Sequence, residues 1–193
     1  TFISMGHEPW TLEQTRARVK QSMRDAFPKL FGEGWERAAE LYQQHYRAHH
    51  LEQLQPLPQA EKVLQQLKDT PLYVAIVSNK KGDTLRKEAA HLGWEGYFRK
   101  LIGSGDAECD KPHPDPVHLV LEGSGIAPGA DVWFLGDTGI DLECAQNTGC
   151  TPLLYGDHTP QNGQHDGFPY THHSSDHAVF LALLNRNIPK IGS

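Results

Sequence analysis

The 193 residues predict an α/β fold: a parallel sheet covered by helices on both faces, preceded by a wholly helical segment. Two observations carry this. Short apolar runs, "LYVAIVS" (72–78), "KLIGS" (100–104), "VWFLGD" (132–137) and "TPLLYG" (151–156), alternate with stretches of helical periodicity. The longer runs are apolar throughout rather than on alternate residues, as strands buried on both faces are. The first 55 residues contain no such run and read as helix alone, which divides the chain into a unit 1–55 and a unit 56–193.

In chain order, Thr11 with Gln14 forms a capping-box start, and Val19, Met23, Phe27 and Leu30 continue at helical spacing as one predicted helix. "FGEG" (31–34) ends it, and Trp35, Ala39, Tyr42 and Tyr46 carry a second, so the pair reads as a helical hairpin. The proline-marked joint "LQPLPQA" (54–60) leads to a helix over Ala60, Val63, Leu64 and Leu67. After the first strand comes a helix with Leu85, Ala89 and Leu92. After "KLIGS" comes one that Asp115 could cap, with Pro116 at its first position. A short helix over Ile140, Cys144 and Ala145 follows the third strand, and a last helix lies near 177–185. Residues 156–175, rich in His, Gly and Pro, read as a disordered surface loop.

Composition narrows the function. Eighteen basic against 24 acidic residues, a net charge of −6, leave no basic field for nucleic acid. No apolar run approaches the ~20 residues that span a bilayer and no signal peptide opens the chain, so a cytoplasmic protein is expected. Three cysteines without a CxxC pair fit reduced thiols. Of the 12 histidines, His45 and His49 are four apart on a helix, while His158, His165, His172, His173 and His177 are scattered. HExxH is absent, and both groups read as solvated surface.

The chemistry collects at predicted strand ends, where open parallel sheets bind ligands. Ser78 and Asn79 follow the first strand, Lys111-Pro112 follows the second, and Gly136-Asp137 ends the third, with Asp141 one helical turn further on. A hydroxyl, an ammonium and paired carboxylates suit a phosphoryl group beside Mg²⁺. Taken singly, each has a structural alternative. Ser78 or Asp137 could cap a helix, Asp141 could favour a helix N-terminus, and Lys111 could be a surface charge. The ordered combination is what favours a site.

"IVSNK" (76–80), "DKPHPDP" (110–116) and "FLGDTGID" (134–141) resemble the second, third and fourth motifs of the haloacid dehalogenase superfamily, and "MGHEPWTLEQTRARV" resembles the cap opening of its phosphoglycolate phosphatase-like members. The resemblance implies a Rossmann-like core with a helical cap at 1–55. It also implies Mg²⁺-dependent hydrolysis of a small phosphorylated metabolite through an aspartyl-phosphate. Ser78 and Asn79 would bind phosphoryl oxygens, Lys111 would offset charge on phosphate and nucleophile, and Asp137 and Asp141 would form the metal side. The family's first motif, Asp-x-Asp, supplies the nucleophile and general acid, and these residues contain none. The expectation is therefore a natural chain that extends upstream and supplies the strand between those ending at Ser78 and Asp137. A phosphate-binding pseudoenzyme, a phosphomutase and a metal-free dehalogenase are the alternatives, the last disfavoured by "GDTGID". Arg16, Arg18, Lys20 and Arg24 could meet an anionic substrate, with a solvated helix face as the simpler role.

Overall fold

The computed structural model describes residues 1–19, 21–158 and 163–187, with the side chains of residues 16 and 17 excepted. Thr11 accepts the Gln14 N–H at 3.2 Å and Gln14 Oε1 accepts the Thr11 N–H at 2.9 Å, so the capping box starts α1 (Leu12–Arg18) as expected. The single helix expected from Thr11 to Leu30 is instead two. The buried Ser22 hydroxyl accepts the Asp25 N–H and caps a new helix, α2 (Met23–Phe31). Ser22 and Asp25 are themselves spaced as a capping pair, the signal for the break. α3 (Trp35–His49) packs back on α2, with Phe27 against Tyr42 at 5.7 Å between ring centroids.

The remainder is α/β. Strand β1 (Ile76–Lys81) pairs in parallel with β2 (Leu101–Ser104). Strands β3 (Trp133–Gly136), β4 (Thr151–Tyr155) and β7 (His172–Ser174) form a second parallel set in the order β3-β4-β7. Helices α4 (Ala60–Lys68), α5 (Gly82–His91), α6 (Asp115–Leu121), α7 (Gly139–Thr148) and α8 (His177–Asn187) alternate with them.

Two apolar clusters show why β3 is hydrophobic at successive positions. Phe134 packs with Val117, Val120 and Cys144 of α6 and α7, whereas neighbouring Trp133 faces the cluster of Val63, Phe180 and Leu184 from α4 and α8. Successive residues of one strand thus serve cores on opposite faces.

Between β1 and β3 the sheet is interrupted. Among the described residues no strand pairs with both, and a cavity of about 680 Å³ lies there, lined by Ile76, Val77, Phe134, Leu135, Leu67 and Phe180.

The loop expected at 156–175 is partly sheet. β5 (Gln164–His165) and β6 (Phe168–Pro169) form a short antiparallel pair, and β7 joins β4 through Leu153–His172, Leu154–His173 and Tyr155–Ser174. Residues 159–162 of that stretch lie outside the described residues. The histidines there are engaged rather than simply solvated: His173 Nε2 lies 2.8 Å from Gly156 O, and His177 Nδ1 lies 2.8 Å from the Tyr155 hydroxyl. Asp115 does not cap its helix. It is the helix's first residue, and its carboxylate accepts the Cys109 N–H at 3.2 Å.

Candidate active site

One side chain joins β1 to α7, the helix that follows β3; β1 runs Ile76–Lys81 rather than 72–78, so Ser78 and Asn79 lie within the strand and not after it. Lys111 Nζ donates to Val77 O at 2.9 Å and to Asp141 Oδ1 at 2.7 Å, and the two charged residues are only 8% and 6% exposed. A buried lysine needs such partners, since an unpaired ammonium in this position would be costly. Its backbone is fixed as well: Asn79 Oδ1 accepts the Lys111 N–H and Asn79 Nδ2 donates to Lys111 O, both at 3.0 Å. The structure therefore engages Asn79 with the lysine loop. Ser78 sits half-buried beside it, its hydroxyl accepting the Lys80 N–H at 3.1 Å.

Asp141 is held from the other side. Its Oδ2 accepts the Thr138 N–H at 3.0 Å and the Thr138 hydroxyl at 2.8 Å. Gly136 is required by this packing, because a Cβ there would lie 2.2 Å from Asp141 Cβ. Glycine is needed here for close approach. Asp137, by contrast, is exposed and makes no hydrogen bond or ion pair among the described residues. The two carboxylates that spacing treats as a pair thus differ, one committed to lysine and threonine and the other free to meet a cation.

Two further networks tie the helical segment to this rim, and the sequence signals neither. Arg24 pairs with the buried Asp110 at 2.7 Å and donates to Glu108 O at 2.9 Å, one residue either side of Cys109. Its partner is an aspartate of the lysine loop. Of the other basic candidates, Arg18 lies over the Trp10 ring at 5.0 Å, while Lys20 and the side chain of Arg16 lie outside the described residues. Glu88, 6% exposed, accepts from the Tyr46 hydroxyl at 2.9 Å, lies 2.9 Å from His50 Nδ1 and pairs with Lys80.

Burial pushes Asp141 up, but the Lys111 charge and the Thr138 hydrogen bonds outweigh it and hold the carboxyl below the ordinary 3.8. Burial likewise raises Glu88, and Lys80 and His50 bring it below 4.5. A carboxyl lowered in the folded state adds stability that is complete above its unfolded value and is lost as pH falls through the folded one. Urea unfolding should therefore show constant stability above about pH 5 and a steep loss below about pH 4. Glu88→Gln should lower stability at neutral pH and flatten that acid slope; an unchanged slope would remove Glu88 from the account.

Comparison with known proteins addresses the family and the fold. A profile of haloacid dehalogenase-like hydrolases matches residues 1–154. A phosphoglycolate phosphatase from Yersinia pestis is 35% identical over 115 residues, covering 58% of this chain and 49% of that protein. The chain spans about half the length of the curated relatives it matches. A HAD-superfamily hydrolase from Ehrlichia chaffeensis is 33% identical, with a TM-score of 0.51, over 80% of this chain and 74% of that one. The fold is also that of a haloacid dehalogenase-like family protein from Streptococcus pneumoniae, with a TM-score of 0.80 at 20% identity over 95% of this chain and 86% of that one. With parallel α/β architecture and a profile match across most of its length, the chain belongs to the haloacid dehalogenase-like hydrolases.

Proposed function

We propose that the protein acts as a Mg²⁺-dependent phosphatase on a small phosphorylated metabolite, with phosphoglycolate the first substrate to test. The observation that carries this reading is the Lys111–Asp141 pair, which ties β1 to the helix following β3, with Ser78 and Asp137 nearby in those two strand–helix units. The donors present fit the metal: Asp137 offers an uncommitted carboxylate oxygen, the hard ligand Mg²⁺ prefers. Asp141 fits better as the group that holds Lys111, since both its oxygens are already engaged. When bound, Mg²⁺ would offset negative charge on the phosphoryl oxygens.

In this reading Lys111 presents a fixed positive charge and Ser78 a hydroxyl to those oxygens, and Asn79 keeps the lysine loop in register. A carboxylate nucleophile attacks phosphorus as the ester P–O bond breaks, and a general acid gives its proton to the departing alkoxide. Water then hydrolyses the aspartyl-phosphate. A strand parallel to β1 and β3 in the cavity between them would end between Ser78 and Asp137, which is where that nucleophile belongs. The helical residues 1–55 would act as the cap, and their polar links to the α/β part through Arg24, Arg47 and Glu88 support a segment that docks on the rim.

The same rim, with Lys111 as its fixed positive charge, would also suit phosphate binding without turnover, which is the second reading. Hydrolysis of p-nitrophenyl phosphate and of phosphoglycolate, with Mg²⁺ and with excess EDTA, separates the two. Turnover is expected with Mg²⁺ and lost in EDTA. Persistent turnover in EDTA rejects metal dependence, and phosphate binding without turnover selects the second reading.

A further inference from the structure

On the far side of the lysine loop, Cys109, His113 and Asp115 bring a thiol sulfur, an imidazole nitrogen and a carboxylate oxygen within 4.8 Å of one another. His113 Nδ1 is already 3.0 Å from Asp115 Oδ1. No pair or triad of histidines points to this cluster, because its spacing is C-x3-H-x-D and its third member is an acid.

The backbone carrying the three donors is held before any ion arrives. Asp110, next to Cys109, is buried and accepts from the Ser104 hydroxyl at 2.7 Å and the Gly105 N–H at 3.2 Å. The Lys111 backbone is clamped by Asn79. Pro112 and Pro114 fix the chain on both sides of His113, and Asp115 opens α6. A donor set on a braced loop avoids the ordering cost that weakens most surface clusters.

We propose that Cys109, His113 and Asp115 bind one thiophilic divalent cation of the zinc class, with a fourth position open to water. Zinc takes sulfur at ~2.3 Å and nitrogen or oxygen at ~2.0–2.2 Å, so its ligand atoms stand roughly 3.3–3.7 Å apart. His113 is exposed, so its ring can turn away from the Asp115 N–H that its Nδ1 accepts at 3.3 Å and bring the donors to that spacing. Mg²⁺ is excluded by ligand type, since thiol and imidazole suit borderline and soft ions. This separates the cluster from Asp137 by chemistry. A groove of about 750 Å³ lined by Glu108, Asp115 and His118 opens beside the cluster and gives an ion access. Asp110 and Lys111 lie between the first two ligands, so a bound ion closes a ring around the lysine loop and restrains the residue that the proposed chemistry depends on.

The test is metal binding itself, read without reference to activity. Reduced, metal-free protein is titrated with Co²⁺, and zinc affinity is measured by competition with a chromophoric chelator. One equivalent of Co²⁺ should give a thiolate-to-cobalt absorption band, and Zn²⁺ should displace it. Cys109→Ser should abolish the band, and Cys109→Ser and His113→Ala should each weaken zinc binding about tenfold or more. Asp115→Asn, which keeps the bond to Cys109 N–H in reach, should weaken it while the fold is retained by circular dichroism. A one-equivalent complex without a sulfur band, a band that survives Cys109→Ser, or zinc affinity unchanged in both Cys109→Ser and His113→Ala would each overturn the site.

Discussion

Replacing Lys111 by alanine is expected to lower turnover by about 10²–10³-fold and stability by about 3–5 kcal/mol. The two losses have different origins. Stability falls because Asp141, 6% exposed, keeps its charge but loses the ammonium at 2.7 Å that compensates for its burial. The Thr138 hydrogen bonds remain and limit the damage. Turnover falls, on the proposed reading, because no fixed positive charge faces the phosphoryl oxygens.

The double variant Lys111→Met with Asp141→Asn separates these origins. Removing both charges from a buried pair is far milder than removing one, so most of the stability should return. Turnover should not return, because the charge that acts on the substrate is still missing. Urea melts and steady-state kinetics on the three proteins read both quantities. If turnover recovers together with stability, Lys111 is a structural residue and has no part in the chemistry.

Much of this arrangement was legible in the residues, and the exceptions have physical causes. β3 and β4 announce themselves because strands covered on both faces must be apolar at successive positions, as Trp133 and Phe134 are, whereas β1 is displaced from the apolar run 72–78 to Ile76–Lys81 and only its first two residues are apolar. β7 does not: His172, His173 and Ser174 join the sheet through backbone bonds to β4, and three residues carry no readable period. The break before Ser22 was obscured by apolar residues that keep helical spacing across it, although the hydroxyl and Asp25 are spaced as a cap.

Lys111 and Asp141 stand in recognisable motifs, but the commitment of Asn79 to the Lys111 backbone is a contact across 32 residues. Arg24 with Asp110 and Tyr46 with Glu88 span 86 and 42 residues. Such pairs leave no trace in local periodicity, since each partner alone resembles an ordinary surface charge or helix residue. They are also what anchors the helical segment against the α/β part, so the docking of that segment was the least readable feature.

Asp137→Asn should give the opposite profile to a change at Asp141: turnover lower by roughly 10²-fold or more, with stability within about 0.5 kcal/mol of the parent. The carboxylate is exposed and bonds to no described residue, so the fold loses nothing when its charge is removed. What it loses on the proposed reading is the oxygen ligand offered to Mg²⁺, so the Mg²⁺ concentration for half-maximal rate should rise and partial recovery should appear at high Mg²⁺. Asp141→Asn removes no free ligand. It weakens the bond to Lys111 and should lower stability first, with a Mg²⁺ requirement close to the parent's. Two aspartates four residues apart on one strand–helix junction are thereby assigned by their contacts, the engaged one to the lysine and the free one to the metal. Magnesium titrations of both variants decide it: a Mg²⁺ requirement raised at Asp141 and unchanged at Asp137 would reverse the assignment.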